Sequence, residues 1–252
     1  MSENDAVLSE VRERVLLITL NRPEQMNAIN TDVVQGLVGA MRRLDQDADL
    51  SVGILTGAGP GFCSGMDLKA FAVAGAPRGL GDLFEHGARK PLIAAVEGFA
   101  LAGGLELALT CDLLVCARDA RLGIPEARVG LFAGGGALIR LPGRVGYAKA
   151  MEMALTARPI AAPEAHELGL VTRITERGKA IDGAMELAFE ITQNAPLAIV
   201  ASKQIIRSTQ GMTETEAWEY QRPLYAPLLR SDDAKEGPRA FAEKRAPKWS
   251  GH

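Results

Sequence analysis

Two glutamates, Glu106 and Glu126, lie 20 residues apart in a stretch that is otherwise apolar or rich in glycine. Glu106 falls one turn into a predicted short helix that begins at the Gly103–Gly104 pair. Glu126 follows Pro125 in a predicted turn. Two carboxyl groups that face one pocket can add and remove a proton and a water molecule. The stretch is therefore the first candidate for a catalytic site.

Each glutamate taken alone has a simpler explanation. A glutamate in the first turn of a helix commonly serves the helix dipole, and a glutamate in a loop is commonly solvated. However, the neighbours of Glu106 predict a buried helix, because they are apolar on every side: Leu105, Leu107, Ala108 and Leu109. An unpaired buried carboxylate is costly, which favours a functional interpretation. The segment Asp112–Ala117 predicts a buried strand between the two acids, and a return loop after it can bring them together.

The glycines of this stretch predict backbone donors. Gly103 and Gly104 at a helix start expose N–H groups that can stabilise an oxygen gaining negative charge. A second donor is expected from the glycine-rich loop Gly57–Phe71, which contains FCSGMD. That loop is not a dinucleotide fingerprint, because Phe62 stands where the third glycine of GxGxxG is required. It also lacks the GxSxG pattern of a nucleophile elbow.

Strands and helices alternate from residue 14 to about residue 174, which predicts an α/β body. Arg14–Leu20 and Ser51–Gly57 are predicted strands, and a helix capped by Asn30 or Thr31 lies between them. The segment Lys90–Ala100 predicts a buried strand that ends at Gly98, and a helix after Gly136 is expected to stop at Pro142. Four further helices are predicted after that body: Ala180–Gln193, Pro196–Arg207, Thr213–Leu229 and Asp232–Lys244. Such a tail either packs on a neighbouring subunit, which we favour, or covers the body's own face.

Composition excludes several classes of function. The chain of 252 residues has a formal net charge of −3, which argues against nucleic acid as its partner. No apolar run reaches the ~18 residues that span a bilayer, so no membrane association is predicted. The three cysteines form no CxxC pair and predict free thiols in a reducing cytoplasm. With three histidines, no metal site is expected. The isolated cations are interpreted as surface charges: Lys69, Lys90, Arg121 and Arg140.

Across nearly its whole length the chain resembles the crotonase (enoyl-CoA hydratase/isomerase) superfamily. The segments that carry the resemblance occur in the family's order: NRPEQMNAIN, GFCSGMDLKAF, KPLIAAVEGFALAGGLELALTCDLLVCA, GIPEARVGLFAGGGALIRLP and EGPRAFAEKR. The resemblance implies a crotonase-like α/β spiral of ββα units over residues 1–190 and a C-terminal helical trimerisation region over residues 191–252. It implies a homotrimer or homohexamer, an acyl-CoA thioester substrate, and no cofactor beyond the coenzyme A that the substrate carries.

The resemblance also implies a role for individual residues. In the family's hydratases two glutamates share one water, and they match Glu106 and Glu126. The thioester oxygen would lie in an oxyanion hole formed by the backbone N–H groups of Met66 and Gly103. Further residues are expected to contact the substrate or its coenzyme A: Ala28, Ser64, Met66, Asp67, Leu68, Lys69, Gly103 and Gly134. Retention of both glutamates favours hydration or dehydration over double-bond isomerisation.

Three positions depart from the family's pattern. Ala102 stands where a glycine usually begins the GGG run, Met66 replaces an alanine or glycine, and Ala133 stands where a proline is common. The segments LGIPEARVG and GMDLKAF are most similar to those of carnitinyl-CoA dehydratases and related hydratases. The prediction is an enoyl-CoA hydratase-type lyase. The alternatives are carnitinyl-CoA dehydration, enoyl-CoA isomerisation, thioester hydrolysis, or a scaffold that binds acyl-CoA without turnover.

Overall fold

A six-stranded sheet forms the centre of the computed structural model, which describes residues 5–251. Its strands lie in the order β1 (Val7–Arg12), β2 (Val15–Leu20), β3 (Val52–Gly57), β4 (Leu92–Val96), β6 (Leu113–Ala117) and β9 (Arg173–Thr175). The β1–β2 pair is an antiparallel hairpin, and every other pairing in this sheet is parallel. Residues of β3 and β4 are buried almost throughout, as parallel strands covered on both faces should be.

A second, three-stranded sheet lies beside the first one. It consists of β5 (Phe99–Leu101), β7 (Arg121–Gly123) and β8 (Ile160–Ala161), in that order. Cys63 forms an isolated bridge to Ala100, so the glycine-rich loop attaches to the edge of this small sheet. The two sheets therefore hold the loop beside the segment that leads to Glu106.

Seven helices connect the strands of the body and cover its core. They are α1 (Thr31–Gln46), α2 (Leu68–Ala74), α3 (Leu80–His86), α4 (Gly103–Thr110), α5 (Ala137–Val145), α6 (Tyr147–Thr156) and α7 (Ala162–Glu167). The Asn30 side chain accepts a hydrogen bond from the Val33 N–H and so caps α1, as predicted. All eight residues of α4 are buried, which confirms the buried helix inferred around Glu106.

Four helices follow the body: α8 (Ala180–Thr192), α9 (Pro196–Ser208), α10 (Glu214–Arg230) and α11 (Asp232–Ala242). Their order and approximate bounds confirm the helical tail, and Ser231 caps α11 through the Ala234 N–H. Helix α8 packs on the large sheet and buries residues along one face, whereas α9 and α10 have no fully buried residue. The division of the chain at residue 190 stays a prediction.

Local structure departs from the sequence prediction at three places. The strand within Lys90–Ala100 ends before Gly98 as predicted, but a separate strand, β5, begins at Phe99; the φ of 56° at Gly98 lets its backbone pass close to Pro60. Helix α5 continues past Pro142 to Val145, because Leu141 and Val145 are buried on one face and the proline removes only one helical hydrogen bond. Strand β1 was not predicted, since its half-exposed residues lack the apolar pattern of a core strand.

Candidate active site

The carboxylate of Glu106 is buried and held by the backbone of the opposing turn. Its Oε1 accepts hydrogen bonds from the N–H groups of Gly135, at 2.6 Å, and Ala137, at 3.2 Å. Burial raises the pKa of Glu106, while these two donors and the nearby Arg140 charge act to lower it. Because one oxygen is fixed by main-chain donors, the orientation of the carboxyl group is set by the fold.

Glu126 lies in a short 3-10 helix, Pro125–Val129, directly after β7. Its Oε2 is inaccessible to solvent and has no hydrogen-bond partner among the described residues. Burial raises the pKa of Glu126 to about 7, and the negative charge of Glu106 adds to the increase. A buried oxygen without a partner is costly, so this one is suited to a ligand or a water molecule.

The structure therefore brings the two glutamates together across 20 residues of chain. The negative charge of Glu106 contributes to the raised pKa of Glu126, so the two carboxyl groups are near enough to interact. Where two acids interact strongly, the titration belongs to the pair, and one proton can be held by either group. Such a pair is able to take a proton from water and give one to carbon.

The two predicted backbone donors face each other across a narrow gap. A Cβ placed on Gly103 would lie 3.6 Å from the Met66 nitrogen and 3.6 Å from the Cα of Gly65. Met66 forms an isolated parallel bridge with Ile29, in which the Ile29 N–H donates to the Gly65 carbonyl oxygen and the Asp67 N–H donates to the Ile29 carbonyl oxygen. The Met66 N–H is therefore not used in the bridge. Among the described residues, neither the Met66 N–H nor the Gly103 N–H donates to a protein acceptor. Two free, adjacent N–H groups are the arrangement an oxyanion needs.

Gly104 explains how the two donor segments approach so closely. A Cβ at this position would lie 2.2 Å from the carbonyl oxygen of Cys63, which is less than any real contact. The same carbonyl accepts a hydrogen bond from the Leu101 N–H at 3.0 Å. Cys63 is fully buried and burial raises the pKa of its thiol to about 12, so it supports the loop and is no nucleophile.

The residues predicted on the coenzyme A side gather around one ion pair. Arg22 donates to the Ala28 carbonyl oxygen and pairs with the Asp67 carboxylate at 3.1 Å. Asp67 also caps α2 through the Ala70 N–H, so its side chain has a structural role. Ser64 is tied to this group by its backbone N–H, which donates to Met26. Leu68 and Lys69 follow on the exposed first turn of α2, where they are free to contact a ligand.

Gly134 lies in the turn before α5 and is exposed. A Cβ there would lie 3.6 Å from the ring of Phe132, which is itself 76% exposed. Gly135, the next residue, has no such room, because its Cβ would lie 2.5 Å from Phe84 and 2.7 Å from the Oε2 of Glu106. The glycine turn therefore passes directly against the first catalytic candidate.

Arg140 is the residue that the sequence interpretation missed. It was interpreted as a surface charge, but it donates to the carbonyl oxygens of Phe84, at 2.5 Å, and Gly135, at 3.3 Å. Gly135 is the residue whose N–H holds Glu106. Arg140 thus fixes the turn behind Glu106, and no feature of its own sequence neighbourhood distinguishes it from the exposed arginines of the chain.

A cavity of about 1060 Å³ lies elsewhere, between α9 and the body, and neither glutamate lines it. Within residues 5–251 no three His, Cys, Asp or Glu side chains are placed to hold a metal ion. Over the same residues no helix combines the length and the apolar character needed to cross a bilayer. The expectation that no metal or cofactor is required stays a prediction.

Comparison with known proteins agrees with this geometry. Residues 10–252 match the family model described as enoyl-CoA hydratase/isomerase. The chain belongs to the enoyl-CoA hydratase/isomerase family. It is 43% identical to an enoyl-CoA hydratase of Mycobacterium tuberculosis, over 96% of this chain and 95% of that protein. It is 42% identical to a carnitinyl-CoA dehydratase of Salmonella arizonae, over 94% of this chain and 95% of that protein.

Solved structures confirm the crotonase fold. The crystal structure of an enoyl-CoA hydratase from Mycobacterium marinum superimposes with a TM-score of 0.96, at 53% identity, covering 99% of this chain and 100% of that one. One from Mycobacterium tuberculosis gives a TM-score of 0.94 at 52% identity, with 99% and 100% covered. The predicted superfamily and fold class are therefore correct.

Proposed function

We propose that this protein is an enoyl-CoA hydratase-type hydro-lyase that adds water reversibly across the 2,3 double bond of an enoyl-CoA thioester. The observation that carries the proposal is the coupled carboxyl pair, Glu106 and Glu126, beside two unpaired backbone N–H groups. The names of the relatives support hydration and dehydration as the reaction class.

The surroundings of the two glutamates divide their roles. The N–H groups of Gly135 and Ala137 favour the charged form of Glu106, so we assign it as the base that takes a proton from water. The water oxygen forms the new bond at Cβ. Glu126, whose pKa is raised to about 7, is the acid that gives its proton to Cα. A placed proton-transfer group contributes ~10²–10⁴-fold to the rate.

Negative charge moves to the thioester oxygen as the water attacks. The N–H groups of Met66 and Gly103 receive that charge, because both are unpaired and lie close together. A single donor of this kind is worth ~3–4 kcal/mol of the barrier. After the Cα proton is delivered, Glu106 holds the proton taken from water and Glu126 is ionised, so the pair still carries one proton.

Several narrower expectations also form part of the proposal. Ala28, Ser64 and Met66–Lys69 contact the coenzyme A portion, and Gly134 faces the acyl group. The chain assembles as a homotrimer or homohexamer and acts in the cytoplasm. Oligomerisation is supported by large apolar side chains left exposed on the C-terminal helices: Trp218, Tyr225, Leu229 and Phe241. Light scattering after gel filtration measures the number of subunits.

Carnitinyl-CoA dehydration is the second candidate, since the segments LGIPEARVG and GMDLKAF and the names of several relatives favour it. The test is a panel of thioesters assayed at the ultraviolet band of the conjugated thioester: crotonyl-CoA, crotonobetainyl-CoA and a 3-enoyl-CoA. We expect loss of the band with a 2-enoyl thioester as water adds. Appearance of the band from the 3-enoyl substrate alone would indicate an isomerase, and binding of all thioesters without turnover would indicate a scaffold.

A further inference from the structure

A second cluster of charged side chains lies away from the two glutamates. The cavity between α9 and the body is lined by four cations, namely Arg140, Arg144, Lys203 and Arg207, and by a single carboxylate, Asp112. Its lining is therefore strongly positive in a chain whose net charge is −3. A local excess of one charge inside a concave surface concentrates ions of the opposite sign.

The one carboxylate in the cavity is already engaged. Asp112 pairs with Lys203 at 2.7 Å and also accepts the Leu92 N–H. Among residues 5–251, none of the three arginines forms an ion pair with an acidic side chain. Arg140 and Arg207 donate to backbone carbonyl oxygens at the end of α3. Arg144 has one long hydrogen bond, to the Cys111 carbonyl oxygen at 3.4 Å.

Arg144 is thus the least satisfied cation of the group. A guanidinium group has five N–H donors, and in the described structure only one of those of Arg144 reaches an acceptor. Burial lowers the pKa of Arg144; the negative charge of Asp112 opposes that decrease, and the positive charge of Arg207 adds to it. Like charges held together away from water destabilise one another unless an anion accompanies them.

The remaining wall of the cavity is aliphatic. It includes Leu109, Leu113, Leu170, Ile191, Ile199 and Ile206, and none of the described residues that line it is aromatic. The volume of about 1060 Å³ is at the upper end of the range usual for small-molecule sites. We propose that this cavity binds an organic anion, with a carboxylate or phosphate group on Arg144 between Arg140 and Arg207, and an aliphatic body against the leucines and isoleucines.

Calorimetric titration of the full-length protein in its native assembly tests the site with three probes of equal chain length: octanoate, octyl phosphate and octanol. Butyryl-CoA, a saturated thioester, is present in excess so that the acyl-CoA site is occupied. We expect saturable binding of at least one anion, about tenfold or more tighter than octanol. Octanoate and octyl phosphate compared directly identify which head group the arginines prefer.

Arg144→Gln is the matched test, because it keeps the size of the side chain and removes the charge. We expect its affinity for the anion to fall roughly 10- to 100-fold, as for a lost charge-assisted hydrogen bond, with octanol unaffected. Arg42→Gln, at an exposed position of α1, should bind like the wild type. Equal binding of octanol, or undiminished anion binding by Arg144→Gln, would overturn the proposal. The proposal would also be overturned if the wild type bound no anion and Arg144→Gln changed the number of subunits. That result would assign the cavity to a second copy of the chain.

Discussion

Glu106 lies in a fully buried helix and accepts two backbone hydrogen bonds, whereas Glu126 lies in a half-buried turn and has one oxygen without a partner. Both carboxyl groups have a raised pKa, and burial is the main cause for each. At Glu106 the N–H groups of Gly135 and Ala137 and the charge of Arg140 oppose that increase, whereas at Glu126 the opposing group is its own backbone N–H. The contrast shows how one fold keeps a base and an acid side by side at neutral pH.

Exchanging each acid for its amide tests this contrast most severely. We expect Glu106→Gln to lower kcat by about 10³-fold, because the amide cannot accept a proton from water. Glu126→Gln should lower kcat by about 10²- to 10³-fold, and the double variant by little more than the worse single one, because the pair acts as a unit. Steady-state kinetics with a 2-enoyl-CoA measures all three. Wild-type turnover by both single variants would refute the mechanism.

The pH profile of kcat/KM tests whether Glu106 and Glu126 share one proton. Hydration requires Glu106 ionised and Glu126 protonated, and dehydration requires the reverse, so both directions use the pair with one proton. Since the overall reaction neither releases nor consumes a proton, kcat/KM must have the same pH profile in both directions. We expect a bell shape whose alkaline limb lies near the pKa of Glu126, which is raised to about 7.

The two limbs have separate origins. Activity should fall above the alkaline limb, where the pair loses its remaining proton, and fall at low pH, where Glu106 is protonated as well. Glu126→Gln should retain the acid limb and lose the alkaline one. A profile that stays flat between roughly pH 6 and 9 in the wild type would contradict the proposed role of Glu126.

Gly135→Ala changes the surroundings of Glu106 alone. The added Cβ would lie 2.7 Å from the Oε2 of Glu106 and 2.5 Å from the Phe84 ring, so the carboxyl group must move. A displacement of about 1 Å can cost ~10²-fold in rate, and we expect a loss of that size in kcat. Gly143→Ala, in α5 with nothing within 4 Å of its Cβ, is the control. Unchanged kinetics in Gly135→Ala would mean that the position of Glu106 is not critical.

Arg140→Gln removes the cation that supports Glu106 from behind the glycine turn. We expect kcat to fall about tenfold with little change in KM, because Arg140 positions the turn and does not touch substrate. The Arg140 charge lowers the pKa of Glu106, so its loss should move the acid limb of kcat/KM to higher pH. Arg140→Lys should restore part of both effects, and Arg42→Gln should show neither. If kcat fell but the acid limb of the kcat/KM profile stayed at the same pH, Arg140 would have only a structural role.

The α/β body and the buried helix around Glu106 could be predicted from local patterns, whereas the crotonase fold and the joint role of the two acids were expected from the family resemblance. Apolar runs, the Asn30 cap and the glycines at 103 and 104 are visible in the chain itself. Arg140 could not be predicted in the same way. Its role depends on carbonyl groups of Phe84 and Gly135, which two other segments bring to it. The continuation of α5 through Pro142 likewise depends on the burial of neighbouring side chains. That burial outweighs the tendency of a proline to end a helix.

The smallest effect concerns the turns that carry the two acids. Ala102 precedes the Glu106 helix with φ 52° and ψ −131°, a conformation that favours glycine, and its carbonyl oxygen accepts the Glu106 N–H. Gly130, which ends the turn of Glu126, has φ 75° and is a glycine. Backbone strain at a residue like Ala102 costs roughly 1–3 kcal/mol of folding free energy. The turn before Glu106 therefore carries backbone strain that the turn after Glu126, which ends at a glycine, does not.

Opposite substitutions at these two positions should therefore have opposite effects on stability. Ala102→Gly relieves the strain but gives the unfolded chain more freedom, and we expect a net gain of about 1 kcal/mol or less in the free energy of unfolding. Gly130→Ala, with no atom within 4 Å of its Cβ, should lose about 1 kcal/mol from backbone strain alone. For a chain of this size 1 kcal/mol corresponds to roughly 2–4 °C in Tm. A lower Tm in Ala102→Gly would show that the alanine methyl group contributes packing that outweighs the conformational strain.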